Sequence, residues 1–423
     1  MTNSRYEPIT SVQERLFVWG LVDSIEVGDG GNGTEHRVFS IDAMVASDRT
    51  KFFKLTPSQP KCIRRIVVDF RETQGLPSTW SNLFRRGIEG RWVRLRVAAT
   101  GGGPRCELEG PYQVLTERDG DGDGARINGG ALLRQARLRW GRLATAAEER
   151  RLQLACSVDP AAGAPRPART CLGGIPSRIR IVDAGQAHCA ELYDNTTPGK
   201  VLGYFDVGKP LSFAAASWPK PPPVLSIPEE GYVVLSHWDY DHYSMAITFA
   251  PALLALEWTA PVPVGTGPTV RALVTKLGAA LNYVSGASAT PRPGLTLHRG
   301  LGAASDRNNS GYALRITLSL GDVLLAGDVD YSYLPLAALS ELKGVLVPHH
   351  GGKIVGPPPA PLGGTGRAVL SFGWPNKYSH PDSSAMASHI AAGWSLVATN
   401  WTAHAALSPL TGTSTVTRGD FWF

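Results

Sequence analysis

The stretch from Tyr232 to His242 reads YVVLSHWDYDH, a short apolar run that leads directly into a cluster of polar residues. The apolar run is typical of a buried strand. The cluster holds four potential metal ligands within six positions. Where a strand continues into a loop, His237 and Asp239 point to one side, while Asp241 and His242 at the turn can face another. One short loop could therefore serve two adjacent metal ions.

Imidazole and carboxylate ligands together suit Zn, Mn or Fe. Two such ions, roughly 3.5 to 4 Å apart, can hold and polarise a phosphoester while they activate a water molecule. The alternative is a polar loop whose side chains serve as helix caps and salt bridges. We favour the metal site, because H-x-D-x-D-H directly after an apolar run is a rare arrangement by chance.

Further short motifs follow in order along the chain: Asp183–Gln186, Asp206–Gly208, Asn308–Asn309, Leu324–Asp328, Val347–Gly352, Ser371–Gly373, Asn376 and Ser379–Pro381. Together with HWDYDH they resemble the metallo-β-lactamase superfamily, whose signature is H-x-H-x-D-H. Asp239 in place of the second His is similar to the metallo-hydrolase domain of ComEC-type DNA-uptake proteins. Gly311 departs from the pattern, which has Ser at that place. The resemblance covers most of residues 175–405, and no membrane channel accompanies it.

The resemblance implies an α+β fold, the metallo-β-lactamase αββα sandwich, and a ligand set for two divalent ions. It assigns His237 and Asp239 to the first ion, Asp241 and His242 to the second, Asp328 to a bridge between them, and His380 to completion of the second site. The carboxylate at 239 makes the first site harder, which favours Mn or Fe relative to Zn. We expect Zn or Mn, with Fe as a further option.

A histidine of the first site is missing from its usual place in the family. Only His298 lies between His242 and Asp328, and we interpret it as a structural residue of a strand or loop. The pair His349 and His350 is the better candidate, either as a ligand or as a donor to a phosphate oxygen, with His349 preferred as the ligand. Asp241, His349 and His350 are the expected catalytic residues, with Asp241 also orienting the attacking water.

The chain has 423 residues, enough for two or three domains. Residues 1–118 hold short β-branched and aromatic runs between Gly-rich turns, which predict a small β-barrel or sandwich of unknown role. Residues 119–172 contain an acidic turn, a basic connector helix over Ala131–Leu154 and a Pro/Ala-rich linker. The acidic turn imitates an EF-hand loop but has Gly130 where the bidentate Glu belongs. Residues 173–423 form the predicted hydrolase domain.

Charge and composition narrow the functional classes. The net charge is +6, and +5 of it falls within the first 155 residues. A weakly basic region suits a polyanionic partner but is also an ordinary solvated surface. The five cysteines show no C-x-x-C spacing, and no apolar run is long enough to span a bilayer. We therefore expect a reduced, cytoplasmic protein with no membrane partner.

These observations favour a binuclear hydrolase of phosphodiester bonds with DNA or RNA as substrate, as in the effector of a multi-gene antiphage defence system. Two alternatives stay open. The same kind of site hydrolyses small phosphodiesters, thioesters or lactones, because a fold does not determine its substrate. The chain could also be a regulatory subunit with a vestigial site that binds a protein partner through its N-terminal domain.

Overall fold

The computed structural model describes residues 16–29, 35–46, 63–71, 78–84, 87–98, 104–109, 134–158, 174–195, 199–374, 376, 380–400 and 418–423. They form two compact units, one drawn mainly from the chain before residue 157 and one mainly from the chain after it. Both helices and strands contribute, which confirms the α+β class. No helix within these ranges combines the length and apolar character that crossing a bilayer requires.

The first unit is built on a closed six-stranded barrel with the strand order β1-β2-β3-β5-β6-β4. The strands are β1 (Leu16–Asp29), β2 (Glu35–Ala46), β3 (Ile63–Arg71), β4 (Trp92–Ala98), β5 (Arg105–Glu109) and β6 (Arg134–Leu143). All neighbours pair antiparallel, and closure leaves no exposed edge. The interior is filled by Val18, Phe39, Ile66 and Val93, with Phe84 packed beside helix α1 (Ser78–Leu83).

The connector helix predicted over Ala131–Leu154 is wrong for most of its length. Residues Arg134–Leu143 form strand β6, and only Ala146–Cys156 is helical, as α2. Strand β6 pairs with β4 on one side and β5 on the other, so its backbone groups close the barrel. Widely spaced apolar residues among arginines are compatible with a helix or a strand. The pairing of this segment with β4 and β5 determines that it is a strand. The predicted acidic turn and Pro/Ala linker lie outside the described residues.

A buried ionic cluster lies on this barrel. The Arg65 guanidinium donates to Asp23 at 2.5 Å and to the Ser40 hydroxyl at 2.6 Å, and Arg65 itself is fully buried. Nearby Asp42 accepts hydrogen bonds from the backbone N–H and the hydroxyl of Thr269, a residue of the same unit. Burial raises the pKa of Asp42 to about 6, although Arg65 favours the charged form.

The raised pKa of Asp42 should make the free energy of unfolding depend on pH. Its pKa is about 6 in the folded protein against an ordinary value of 3.8, so the folded state holds the proton more tightly than the unfolded state does. The protonated form of Asp42 therefore favours the folded state. Its contribution to the free energy of unfolding is largest below pH 4 and falls by about 3 kcal/mol as pH rises through 6. Asp42→Asn should gain stability relative to the unmodified protein between pH 4 and pH 7 in parallel urea titrations. A pH-independent difference between the two proteins would contradict this account.

The second unit contains two seven-stranded sheets. The first has the order β12-β11-β10-β9-β8-β7-β20, and the second runs from β13 through to β19 in chain order. The strands are β7 (Pro176–Ile181), β8 (Cys189–Asp194), β9 (Val201–Val207), β10 (Tyr232–Val234), β11 (Glu257–Pro261), β12 (Leu281–Val284), β13 (Ser288–Arg292), β14 (Leu295–Arg299), β15 (Tyr312–Leu318), β16 (Gly321–Leu325), β17 (Leu342–Leu346), β18 (Gly366–Leu370), β19 (Trp394–Ala398) and β20 (Phe421–Trp422).

The two sheets pack face to face. Their shared core joins Leu192 and Phe205 of the first sheet to Leu314 and Leu346 of the second. The opposite face of the second sheet packs against Met386. The described helices after residue 157 are α3 (Tyr240–Tyr243), α4 (Met245–Thr248), α5 (Pro268–Leu277), α6 (Leu336–Leu339) and α7 (Ser383–Ala391), with short 3-10 segments such as Pro348–Gly351.

Parallel strands bring chemically important segments to one end of this sandwich. Strands β9 to β12 run parallel to one another, and so do β16 to β19. The chain leaves β10, β16 and β17 shortly before His237, Asp328 and His349, respectively. Side chains at the carboxyl ends of parallel strands meet at a common edge, which is where open α/β sheets hold their sites.

Candidate metal centre

The centre is assembled around Asp328, whose carboxylate is almost fully buried. One oxygen, Oδ1, lies 3.3 Å from His242 Nε2. The other, Oδ2, lies 3.3 Å from His349 Nδ1 and 3.9 Å from His237 Nε2. The two oxygens thus face different histidines, and His237, His242 and Asp328 form a group whose ligand atoms all lie within 4.8 Å of one another. The bridging role expected for Asp328 stays a prediction, for which its two oxygens have separate histidine neighbours.

A second group joins Asp241, His242 and His350. His350 Nε2 lies 3.2 Å from Asp241 Oδ2, while His350 Nδ1 lies 3.1 Å from the Ser371 carbonyl. A carbonyl only accepts hydrogen bonds, so Nδ1 carries a proton, and Nε2 is the ring nitrogen that faces Asp241 and the centre. His350 Nε2 is therefore the nitrogen that is positioned to bind a metal.

Within the described chain, His350 and not His349 belongs to the ligand groups, against the expected preference for His349. Asn308 lies 3.4 Å from His349 Nε2, and its amide donates there. The His349 Nδ1 proton then faces Asp328. Both histidines have positive φ, 53° and 55°, a conformation that is costly for residues other than glycine. The cost is tolerated where it turns two successive side chains towards one site.

His188 joins the centre without having been predicted as a ligand. It forms a third group with Asp328 and His350, and its side chain is completely buried. Its ring centre lies 4.1 Å from that of His350 and 5.1 Å from that of His242. Strand alternation could not have revealed His188, because residues 185–187 form a bend between β7 and β8.

His380 lies outside the three groups, with its ring centre 6.4 Å from that of His350. Gln186 accepts from the Gly373 N–H through its amide oxygen, so its amide nitrogen donates to His380 Nδ1 at 2.9 Å. Burial, with His350 and His349 nearby, lowers the pKa of His380 to about 3. The ring is therefore neutral and its Nε2 can donate a hydrogen bond, while its role as a second-site ligand stays a prediction.

Asp239 faces His237 on one side and an arginine on the other. Its Oδ2 lies 3.5 Å from His237 Nε2, and its Oδ1 lies 3.1 Å from the Arg307 guanidinium. Burial alone would raise the pKa of Asp239, but Arg307 and His237 hold it well below the ordinary range. Arg307 thus offsets the charge of the Asp239 carboxylate. Sequence reasoning missed Arg307, which directly precedes the Asn308–Asn309 motif but lies 68 positions from Asp239.

Buried atoms without partners test whether these residues fit a metal. In the part of the chain that the structure describes, no hydrogen bond reaches His188 Nδ1 or Nε2, His237 Nε2, His242 Nε2 or Asp328 Oδ1. Nearly all buried polar atoms in proteins are satisfied, and the exceptions call for an explanation. Imidazole nitrogens and carboxylate oxygens converging in one place are suitable ligands for Zn, Mn or Fe. The residues present therefore fit divalent ions.

Electrostatics lead to the same conclusion. Burial lowers the pKa of His188 well below its ordinary value, which keeps that ring neutral and able to bind a cation. Burial acts in the same direction on His242, but the carboxylates of Asp328 and Asp206 raise its pKa well above the ordinary value. Burial would raise the pKa of Asp328, whereas His349 and His242 hold it far below. The buried carboxylates thus require nearby positive charge.

Residues behind the ligands hold them in place. Asp206 accepts hydrogen bonds from the backbone N–H and hydroxyl of Ser236 and from His242 Nδ1 at 2.8 Å. A carboxylate behind a histidine fixes the tautomer and orients the ring towards a metal. Asp206 has φ of 53°, a further strained residue at this site. Gly208 completes the motif, since a Cβ there would lie 1.5 Å from the Asp241 carbonyl oxygen.

Gly208→Ala should displace the ligand loop, because the added methyl group would overlap the backbone at Asp241. We expect metal content to fall to less than half of that of the unmodified protein, with a lower melting temperature. Gly419→Ala is the matched control, since a Cβ there meets nothing within 4 Å. Metal analysis of both purified variants checks this, and unchanged metal content in Gly208→Ala would refute the close approach.

His188→Ala should weaken metal binding by at least about tenfold, because it removes a buried imidazole whose two nitrogens make no hydrogen bond to any described residue. His298→Ala is the control: His298 is also buried in the second unit but belongs to none of the described ligand groups. Titration of metal-stripped variants with Mn²⁺ or Zn²⁺ measures the difference. Equal affinities for the two variants would remove His188 from the centre.

No family model matches this sequence, and a search of curated proteins finds no match to it.

Proposed function

We propose that this protein is a metal-dependent hydrolase of phosphodiester bonds that uses two divalent ions, Zn or Mn. The observation that carries the proposal is the convergence of three ligand groups on Asp328, His242 and His350, with buried nitrogen and oxygen atoms that lack hydrogen bonds. A purely structural polar cluster would satisfy those atoms within the protein.

The architecture supports an αββα sandwich of the metallo-β-lactamase type as the fold of the second unit. Two sheets share one core, and the ligands lie at the ends of strands of both sheets. The ordered motifs of the sequence occupy this same end: Asp206 orients His242, Gly208 adjoins Asp241, and Gln186 holds His380. Each motif thus has a physical task at one site.

The side chains of the centre differ in exposure: the buried ones are suited to holding metal ions, and the more exposed ones to contacting the substrate. The side chains of His188, His237, His242 and Asp328 are at most 8% exposed, whereas those of Asp241 and His349 are 23% and 27% exposed. Bound divalent ions would polarise the phosphoryl group and lower the pKa of water. Asp241 is placed to orient the attacking water, and His349 to donate to a phosphate oxygen. His380, with its proton on Nε2, is a second candidate donor.

We favour DNA or RNA as the substrate because the first unit carries most of the net positive charge of the chain.

A small phosphodiester is the second candidate substrate, and a separate observation favours it. A cavity of about 110 Å³ begins at His237 and is lined by apolar side chains and by two arginines, Arg299 and Arg307. Such a cavity would suit the apolar body and anionic group of a compact substrate.

Asp328→Ala should abolish hydrolysis, with a loss of at least about a hundredfold, because it removes the carboxylate shared by two ligand groups. The assay compares single- and double-stranded DNA, RNA, cyclic nucleotides and a generic phosphodiester, each with Mn²⁺, Zn²⁺ or Mg²⁺. Asp322→Ala is the control, since Asp322 lies on the strand that precedes Asp328 and pairs with Arg315. Turnover retained by Asp328→Ala, or no turnover of any substrate by the metal-loaded protein, would overturn the proposal.

A further inference from the structure

Aromatic and arginine side chains alternate across three neighbouring strands on the outside of the barrel. The registers of β1, β4 and β6 place these residues in two adjacent rows: Phe17, Arg96 and Trp140 in one, and Trp19, Arg94 and Arg142 in the other. Each row crosses the strands with an arginine directly beside an aromatic ring. The face belongs to the first unit alone and shares no residue with the metal centre.

A bulge turns Trp140 outward. The β4–β6 register shifts between Arg96 and Val97, which pair with Trp140 and Leu138, respectively. Leu138 points into the barrel core, whereas Arg139 and Trp140 are both exposed. In a regular strand without a bulge, Trp140 would share the inward face with Leu138, because alternate residues share a face. Bulges re-aim side chains in this way, often at functional sites.

Arginine guanidinium groups lie over the aromatic rings of this face, and together these side chains are called the aromatic platform. The guanidinium groups of Arg94 and Arg142 lie 5.7 and 5.9 Å from the centre of the Trp140 ring, and Arg96 lies 5.9 Å from the centre of Phe17. The same two arginines lie over the buried Trp19 ring. Trp140 nevertheless keeps 44% of its surface exposed, a large fraction for an indole in a strand. The aromatic platform thus offers a π face and positive charge together.

The charge of this face is positive. Among the described residues, five arginines lie on or beside it, namely Arg91, Arg94, Arg96, Arg139 and Arg142, against two glutamates of helix α2. Glu148 pairs with Arg142 at 2.6 Å and Glu149 with Arg91 at 2.7 Å. The two glutamates therefore offset only part of the charge. A polyanion with flat rings complements this surface in both charge and shape.

We infer that this face, centred on Trp140 and Arg96, binds single-stranded nucleic acid. Unpaired bases stack on exposed aromatic rings and phosphates pair with arginines, whereas a duplex hides its base faces. A duplex would use the charge but not Trp140, and an acidic protein would not require a flat exposed indole. The inference concerns binding and does not depend on hydrolysis at the metal centre.

Binding is measured with the full chain in EDTA, so that metal-dependent cleavage does not interfere. Fluorescence anisotropy follows labelled DNA and RNA oligonucleotides of about 20 nucleotides, single-stranded and duplex, at several salt concentrations. We expect the single strands to bind more tightly than the duplexes, with Trp140→Ala weakening single-strand binding roughly tenfold and Trp140→Phe retaining most of it. Arg96→Gln should lower the salt dependence by about one unit of slope.

Matched controls come from the second unit. Trp422 is 42% exposed with Arg178 5.4 Å from its ring centre, and Arg367 lies 5.6 Å from the centre of Phe421. Trp422→Ala and Arg367→Gln should leave affinity unchanged. Circular dichroism and melting curves show whether each variant is folded. If Trp140→Ala does not fold, Trp140→Phe still tests the inference. No binding to single strands, equal affinity for duplex, or equal losses in Trp140 and Trp422 variants would each overturn the inference.

Discussion

The candidate metal centre of the second unit is organised around a buried carboxylate surrounded by histidines. Asp328 is almost inaccessible and lies within reach of His188, His237, His242 and His349. A buried carboxylate is costly unless positive charge compensates it. Within the protein, Asp328 and Asp206 raise the pKa of His242, and the His242 nitrogen that faces Asp328 has no hydrogen bond in the described structure. A divalent ion between these groups would satisfy the carboxylate and the ring nitrogens together, which is why the centre is best explained as a metal site.

The backbone around the centre is adapted to this constraint. Three of the four described non-glycine residues with positive φ are Asp206, His349 and His350, and all three serve the centre. Strain of this kind persists where the surrounding structure over-determines it. Glycines act in the opposite way by giving room: Gly208 lets the Asp241 carbonyl approach, and Gly373 lets the Gln186 backbone approach. The glycines of the sequence motifs are therefore explained by close packing behind the ligands.

Local pattern was sufficient for part of this structure. The HWDYDH loop and the strand before Asp328 could be located because ligand spacing and apolar runs are local properties of the chain. The roles of His188 and Arg307 could not, since each depends on a partner far away in sequence, Asp328 and Asp239 respectively. The order of preference between His349 and His350 depended on backbone dihedrals that neighbouring residues impose. Strand β6 was missed because barrel closure, and not helical spacing, determines its conformation.

The most direct test of the central claim is an anomalous difference map from crystals of the protein grown with Mn²⁺. The account predicts two peaks roughly 3.5 to 4 Å apart on either side of Asp328. One peak should lie among His237, His242 and Asp328, and the other should lie in one of the two ligand groups that contain His350. A map with no peak among these side chains, or with a single ion that does not contact Asp328, would contradict the binuclear centre.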